Sequence, residues 1–207
     1  MVIDHVGLVI FPQYTILRMI GRISFPLFAY QIGIGVSHTK DVKKYFLRLF
    51  IFGTVMQTFY FFVSSFIGEN PFELNIFFTL ALGVLAISTY NKKWYGLTLC
   101  TIAIPFLLGL LGFTVDYGTY GVLLILGLYL TAGKFLYLAI YTILLTTITC
   151  LLWDFPIRIQ TQMSCILALI FIAKPFSVKI NIPWWFFYLF YPAHLGLIYL
   201  IGELNLF

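Results

Sequence analysis

Long apolar runs broken by short polar clusters set the pattern of the chain. Seven runs carry no charge: Leu49–Gly68, Leu74–Asn91, Trp94–Val115, Tyr117–Gly133, Phe135–Trp153, Ile159–Ala173 and Ile180–Gly202. Most reach the roughly 17–25 residues that a helix needs to cross a hydrocarbon core of about 30 Å. An eighth, from about Tyr14 to Ser37, is interrupted only by Arg18 and Arg22. The opening run, Met1 to Phe11, is too short to cross, because about 12 residues of helix rise only about 18 Å. It lacks the basic n-region and small-residue cleavage site of a signal peptide. It is therefore either a partial span or the start of a chain that begins at an internal methionine. The predicted fold is all-α: a polytopic transmembrane helical bundle of eight spans plus a short first helix. No repeat, low-complexity tract or linker divides it, so residues 1–207 read as a single integral-membrane domain.

Composition excludes the soluble alternatives. The chain is 62% hydrophobic and 9% charged, where soluble domains carry about 25% charged residues. Its 20% aromatic content is the opposite of a disordered signature. The net charge of +5 forms no basic stripe, so no nucleic-acid partner is expected. The basic residues instead alternate with acidic loops. Lys40, Lys43, Lys44 and Arg48 form one cluster, followed by Lys92 and Lys93, by Lys134, and by Lys174 and Lys179. Between them fall Glu69 and Glu73, then Asp116, then the balanced loop Asp154–Arg158, with Glu203 near the end. Under the positive-inside rule, every second loop is cytoplasmic, starting with His38–Lys44. Pro12–Gln13, Gly68–Glu73, Asp116, Asp154–Arg158 and the C-terminus then face outward, in a multi-pass protein of the cell membrane. Trp94, Trp184 and Trp185 read as interfacial belt residues. Cys100, Cys150 and Cys165 lie inside apolar runs without a C-x-x-C pair, which fits lipid-compatible small side chains and no metal or disulfide framework. Gly33 and Gly35 suit close helix packing. There is no Walker motif and no G-x-S-x-G.

Ionisable groups inside spans are costly to bury and mark function by default. Here they are Asp4 and His5, Arg18 and Arg22, and His194, with Asp116 opening a span at the outer surface. At 1.5 Å of rise per residue, His5 lies about 10 Å below the outer edge. On the same scale Arg18 and Arg22 lie about 6 and 12 Å down, and His194 about 12 Å. Helices remote in sequence thus converge on the outer half of the membrane. Arg18 and Arg22 sit four apart on one helix face, where like charges repel, so an anion belongs between them: Asp4, Asp116 or a substrate. Asp4 points about 100° away from His5 on a helix and cannot orient its imidazole. It pairs more readily with an arginine of the second helix. His194 follows Pro192, so it serves either as a reacting group or as a partner for carbonyls that the proline frees. Lys40, Lys43, Lys44, Arg48, Lys92 and Lys93 either grip an anionic ligand from the cytoplasm or serve as topology signals beside anionic lipids.

Several strings together carry a family resemblance. They are Ile3-Asp4-His5-Val6-Gly7, the segment Leu17-Arg18-Met19-Ile20-Gly21-Arg22-Ile23-Ser24-Phe25-Pro26-Leu27-Phe28-Ala29-Tyr30, Lys43-Lys44-Tyr45 with Arg48, and Asn75-Ile76-Phe77-Phe78-Thr79-Leu80. Asp116-Tyr117-Gly118 with Tyr120-Gly121-Val122, and Tyr191-Pro192-Ala193-His194-Leu195, complete the set. The chain resembles the TraX family, whose founding member is the F-pilin acetylase, from end to end. Family members usually have more residues before I-D-H, so the first span looks abbreviated.

The resemblance implies an integral-membrane acetyltransferase. Acetyl-CoA in the cytoplasm is the donor, and an amine or hydroxyl on the outer face is the acceptor. Such chemistry needs a base and an oxyanion stabiliser. His5, favoured by its place in the I-D-H core, or His194 is the base. Arg18 or Arg22 stabilises the oxyanion or fixes an anionic acceptor, Asp4 supports them, Asp116 orients the base or binds an amine, and Tyr117 donates a hydrogen bond. Lys43, Lys44 and Arg48 stand near the acetyl-CoA phosphates. The acceptor is left open among a pilin-like peptide, a glycan, a lipid and a small molecule. Two other classes compete: a transporter or flippase using the same intramembrane charges, and a non-catalytic assembly or immunity protein. Transporters often show internal repeats and paired broken helices, and the chain shows neither.

Overall fold

Apolar runs that are hydrophobic all round become helices whose backbone groups are satisfied internally, as a bilayer requires. In chain order these are α1 (Val2–Val9), α2 (Thr15–Arg22), α3 (Ser24–His38), α4 (Val42–Ile67), α5 (Ile76–Asn91), α6 (Tyr95–Leu110), α7 (Gly118–Leu130) and α8 (Phe135–Leu152). A 3₁₀ turn, Ser164–Leu167, leads into α9 (Ala168–Ala173), and α10 (Trp184–Glu203) follows. The computed structural model describes residues 1–67, 72–152, 161–174 and 184–203, the side chains of 63–67, 184, 185, 187, 188 and 203 excepted. The readings of Glu69, the Asp154–Arg158 loop, Lys179 and the side chains of Trp184, Trp185 and Glu203 lie outside the described residues. Helix dominates throughout, so the all-α expectation holds. Among the described residues, its one departure is a parallel pairing of β1 (Glu73–Leu74) with β2 (Thr114–Val115).

The described helices do not by themselves support the expected eight spans. Among the described residues, three helices have the length and apolarity to cross a membrane: Thr15–His38, Val42–Phe62 and Phe135–Leu152. Five others are apolar but have 10–17 described residues. The apolar runs continue through turns that end the helices early. Gly112 and Gly133 adopt φ of 85° and 82°, which closes α6 and α7 while hydrophobic sequence runs on. At 13 residues, α7 rises only about 20 Å. The opposite error occurs at α4, which begins at Val42 rather than Leu49. Asp41 causes this: its Oδ1 accepts from Lys44 N at 3.0 Å, an N-cap. That backbone N–H holds the Asp41 carboxyl below its ordinary range. Lys43, Lys44 and Arg48 therefore ride on the first turns of a helix instead of lying in a loop.

Two compact units make up the chain: Met1–Phe28 with Ile143–Phe207, and Ala29–Thr142. In the second, α5 packs against α4, α6 and α7. Asn75 anchors it by accepting from Phe77 N and donating from Nδ2 to the Gly53 carbonyl at 2.8 Å. Threonines inside these apolar helices turn their hydroxyls onto carbonyls one turn back, as Thr101 on Leu97 and Thr142 on Leu138, both at 2.8 Å. Their polar atoms thus stay satisfied away from water. The β1–β2 pairing joins the loops before α5 and after α6 at one end of this unit. At the other end of α5, Asn91 Nδ2 donates to Tyr129 Oη at 2.8 Å. A cavity of about 160 Å³ there is lined by Tyr30, Gly33, Ile34, Ser37, His38, Leu128, Tyr129 and Ala132.

Gly127 gives a direct test of this packing. A Cβ there would run into the ring of Tyr141, whose hydroxyl donates to the Leu123 carbonyl at 2.8 Å. Alanine gains about 1 kcal/mol in helix propensity. Displacing the ring costs about 1–3 kcal/mol in overpacking and endangers the hydrogen bond. Gly127→Ala is expected to lower the melting temperature of detergent-solubilised protein, and an unchanged or raised value would refute this contact.

Candidate active site

In the first unit, α1 and α2 cross with almost no space between their backbones. A Cβ on Gly7 would meet Leu17 Cβ at 2.7 Å, and one on Gly21 would meet Asp4 Cα at 2.6 Å. Glycine at both points lets the helices close, as small residues do in membrane interfaces. The crossing brings Asp4 against the second helix. Its Oδ1 lies 3.5 Å from Arg18 Nε and 3.9 Å from Arg22 Nε. Arg18 Nη1 also donates to the Asp4 carbonyl at 3.4 Å. The like charges on α2 are thus bridged by the carboxylate of α1, the pairing foreseen from their spacing.

Pro26 shapes the end of α2. Lacking an N–H and crowding the carbonyl four residues back, it interrupts the helical ladder, and the break falls at Ile23 between α2 and α3. Ser24 Oγ fills part of the gap by donating to the Gly21 carbonyl at 2.7 Å. Arg22 is thereby held at a helix terminus beside Asp4.

His5 and His194 meet across α1 and α10, with ring centroids 5.6 Å apart and planes inclined at 54°. His194 is 7% exposed. Its Nδ1 lies 2.7 Å from the Phe190 carbonyl. A carbonyl can only accept, so Nδ1 carries the proton in the neutral ring and Nε2 keeps the lone pair. Phe190 stacks on His194 at 5.0 Å, Phe186 stacks on Phe190 at 5.4 Å, and Tyr191 meets His194 edge-on at 5.5 Å. The stacked neighbours, spaced four apart, and the edge-on tyrosine fix the imidazole plane. His194 Nε2 and His5 Nδ1 are both enclosed and lack a hydrogen-bond partner among the described residues. Each such orphan costs about 1–3 kcal/mol, and a buried polar group left in that state calls for an explanation.

One cluster therefore holds Asp4, His5, Arg18, Arg22 and His194. The other candidate site residues, Lys43, Lys44, Arg48, Asp116 and Tyr117, belong to the second unit. There Asp116 donates its N–H to the Leu74 carbonyl at 2.9 Å, and its own carbonyl accepts from Thr79 Oγ1. Tyr117 caps α7 in the left-handed region, φ 59°, a conformation that costs a bulky residue about 1–3 kcal/mol. Lys43 and Lys44 are exposed on the first turn of α4, with Arg48 exposed one turn beyond Lys44. The aromatic ladder Phe186–Phe190–His194 escaped the sequence reading, although its four-residue spacing was present there. The glycine contacts were invisible without the crossing.

Comparison with known proteins bears on this arrangement. The family model described as TraX protein matches residues 1–202. An uncharacterised protein of Rickettsia prowazekii (strain Madrid E) is 29% identical over 123 residues, 58% of this chain and 46% of that protein. The "Probable fimbrial assembly protein FimC, serogroup H1" of Dichelobacter nodosus is 29% identical over 134 residues, 59% of this chain and 54% of that protein. The chain spans about half the length of these curated relatives. No solved structure matches.

Proposed function

The chain belongs to the TraX family, and from that membership together with the paired histidines we propose that it is an integral-membrane acetyltransferase. Acetyl-CoA supplies the acetyl group from the cytoplasm, and the acceptor is an amine or hydroxyl at the outer half of the bilayer. The observation that carries the reading is the contact of His5 with His194, two imidazoles with bare enclosed nitrogens in the same unit as the Arg18–Asp4–Arg22 bridge. A neutral imidazole carries a nitrogen lone pair and suits a general base. A guanidinium nearby suits the negative charge that develops on the carbonyl oxygen during acyl transfer. The fimbrial relative's name makes a pilin-like peptide the first acceptor to try, followed by glycan and lipid.

The test is direct. Purified protein in lipid nanodiscs, given labelled acetyl-CoA and each acceptor, should transfer label to one of them and release free CoA. Failure to transfer label or to release CoA above a protein-free control would overturn the enzymatic reading.

The donor end of the proposal rests on Lys43, Lys44 and Arg48. The N-terminus of α4 adds the partial positive charge of its dipole to two lysines, a combination that favours phosphate. Replacing the three by Gln should weaken acetyl-CoA binding and flatten its salt dependence. Unchanged affinity in that variant would remove them from the donor site.

Orientation and the full count of crossings are part of the same proposal. The alternation of loop charge puts Lys92 and Lys93 in the cytoplasm and Asp116 and the C-terminus outside, with eight crossings and a short first helix. Single cysteines at 92 and 116, in a background lacking the three native thiols, should respond oppositely to an impermeant reagent on intact cells. Labelling at 92 from outside would invert the map.

A further inference from the structure

We infer that the cavity between α3 and α7 receives the pantetheine arm of acetyl-CoA, while lysines around its mouth hold the nucleotide phosphates outside. The choice of occupant rests on the acetyl-transfer reading, whereas the cavity and its ring of charge do not.

The cavity has a floor and a mouth. Its volume is about 160 Å³. Leu128 in its lining is fully buried, whereas Ser37, His38 and Ala132 are exposed, so it opens where α3 and α7 end. From Tyr30 to His38 its α3 wall rises about 12 Å. An apolar cavity of about 150 Å³ takes one benzene ring. A stretch of about six chain atoms therefore fits, and an adenine with its ribose does not. The walls are largely apolar, and two phenols, Tyr30 and Tyr129, supply polarity. Asn91 Nδ2 donates to Tyr129 Oη at 2.8 Å, which uses a lone pair of that oxygen and leaves its proton to donate. An unbranched chain with amide carbonyls suits such a lining better than a hydrocarbon chain, which has nothing to accept from a phenol.

Charge around the mouth selects an anion. Lys40 follows His38 by two residues, Lys134 follows Ala132 by two, and Lys92 and Lys93 follow Asn91 directly. Lys43 and Lys44 ride on the first turn of α4, which Tyr45 ties to α3: its Oη stands 2.8 Å from where a Cβ on Gly35 would be. Six lysines thus belong to these three segments against one acid, Asp41, and that carboxylate is paired with Lys44 at 3.7 Å. The fitting occupant is a polyanion at the mouth and a slender uncharged amide chain within. Acetyl-CoA joins those two parts in one molecule. Under the topology proposed above, this end of the unit faces the cytoplasm, the side from which the donor arrives.

The test titrates full-length protein in nanodiscs with acetyl-CoA and with adenosine 3′,5′-bisphosphate, which keeps nucleotide phosphates and lacks the arm. Ala132→Trp and Ser37→Trp each put an indole at the mouth from opposite walls, both at exposed positions. Each should weaken acetyl-CoA binding about tenfold to a hundredfold, the worth of two or three methylenes kept out of an apolar site. Affinity for the bisphosphate should not change. Lys43→Gln combined with Lys44→Gln should weaken both ligands and flatten the salt dependence of each. Unchanged acetyl-CoA affinity in both tryptophan variants would overturn the inference, and is the result expected if a lipid chain fills the cavity. Equal losses for the two ligands would also overturn it, by putting the nucleotide inside. Wild-type protein that binds neither ligand would defeat the acetyl-transfer reading and the inference with it. Wild-type protein that transfers label while both tryptophan variants bind acetyl-CoA normally would defeat the cavity assignment alone.

Discussion

Asp4→Ala should cost about 3 kcal/mol of stability, the low end of the loss seen when a buried ion pair is deprived of one partner. The carboxylate stands between two guanidinium groups at 3.5 and 3.9 Å. Removing it leaves two like charges one helical turn apart, within a unit whose surroundings are apolar. The arginine side chains are 21% exposed and the aspartate 15%, and the contacts are long for ion pairs, which is why the low end is chosen. The effect should be read as a lower melting temperature and reduced monomeric yield in detergent. A triple variant separates fold from function. Asp4→Leu combined with Arg18→Leu and Arg22→Leu removes all three charges of the bridge, and apolar replacement of buried ionic groups is often neutral or stabilising. It should regain most of the lost stability. If the three groups form only a structural bridge, that triple variant keeps whatever activity the wild type has. If an arginine meets the developing oxyanion, activity disappears while the fold returns. Wild-type melting in Asp4→Ala would mean that the bridge contributes nothing.

How much of this was legible beforehand depended on the range of the interaction involved. Helices followed from apolar runs because a helix satisfies its own backbone, a local property. Their ends did not, because Gly112, Gly133 and the Asp41 cap act through single φ angles and single hydrogen bonds that average hydropathy does not register. The pairing of Asp4 with Arg18 and Arg22 was foreseeable, since charges four apart on one face of an apolar helix demand a counter-ion and few anions exist in the chain. The meeting of His5 with His194 was suggested only by matched depth. What places the rings against each other is tertiary: Gly7 and Gly21 let α1 lie on α2, and Val9 packs where a Cβ on Gly202 would stand, 2.7 Å from its Cγ1. Asp116, expected at the outer surface, and Tyr117 beside it belong to the other compact unit, a division that alternating loop charge carries no trace of.

His5→Ala should reduce acetyl transfer by about 10²- to 10⁴-fold, the usual contribution of a positioned general base. At 1.36 kcal/mol per tenfold, that is roughly 3–5 kcal/mol of transition-state stabilisation. The fold should survive. His5 is only half-buried, its Nδ1 bonds no described residue, and the α1–α2 crossing depends on the glycines and Asp4 instead. Deleting the ring removes its contact with His194 and leaves a void of imidazole size at the edge of the site, so a small loss of melting temperature is expected beside the large loss of rate. The loss should fall on kcat, because a base acts in the transition state and contributes little to holding either substrate. Labelled acetyl-CoA should therefore bind the variant as tightly as it binds the wild type. The comparison with Lys43, Lys44 and Arg48 is then diagnostic: their replacement should raise KM with kcat preserved, and His5→Ala should do the reverse. Near-wild-type turnover in folded His5→Ala protein would pass the role of base to His194, whose Nε2 is the other imidazole nitrogen enclosed without a partner among the described residues.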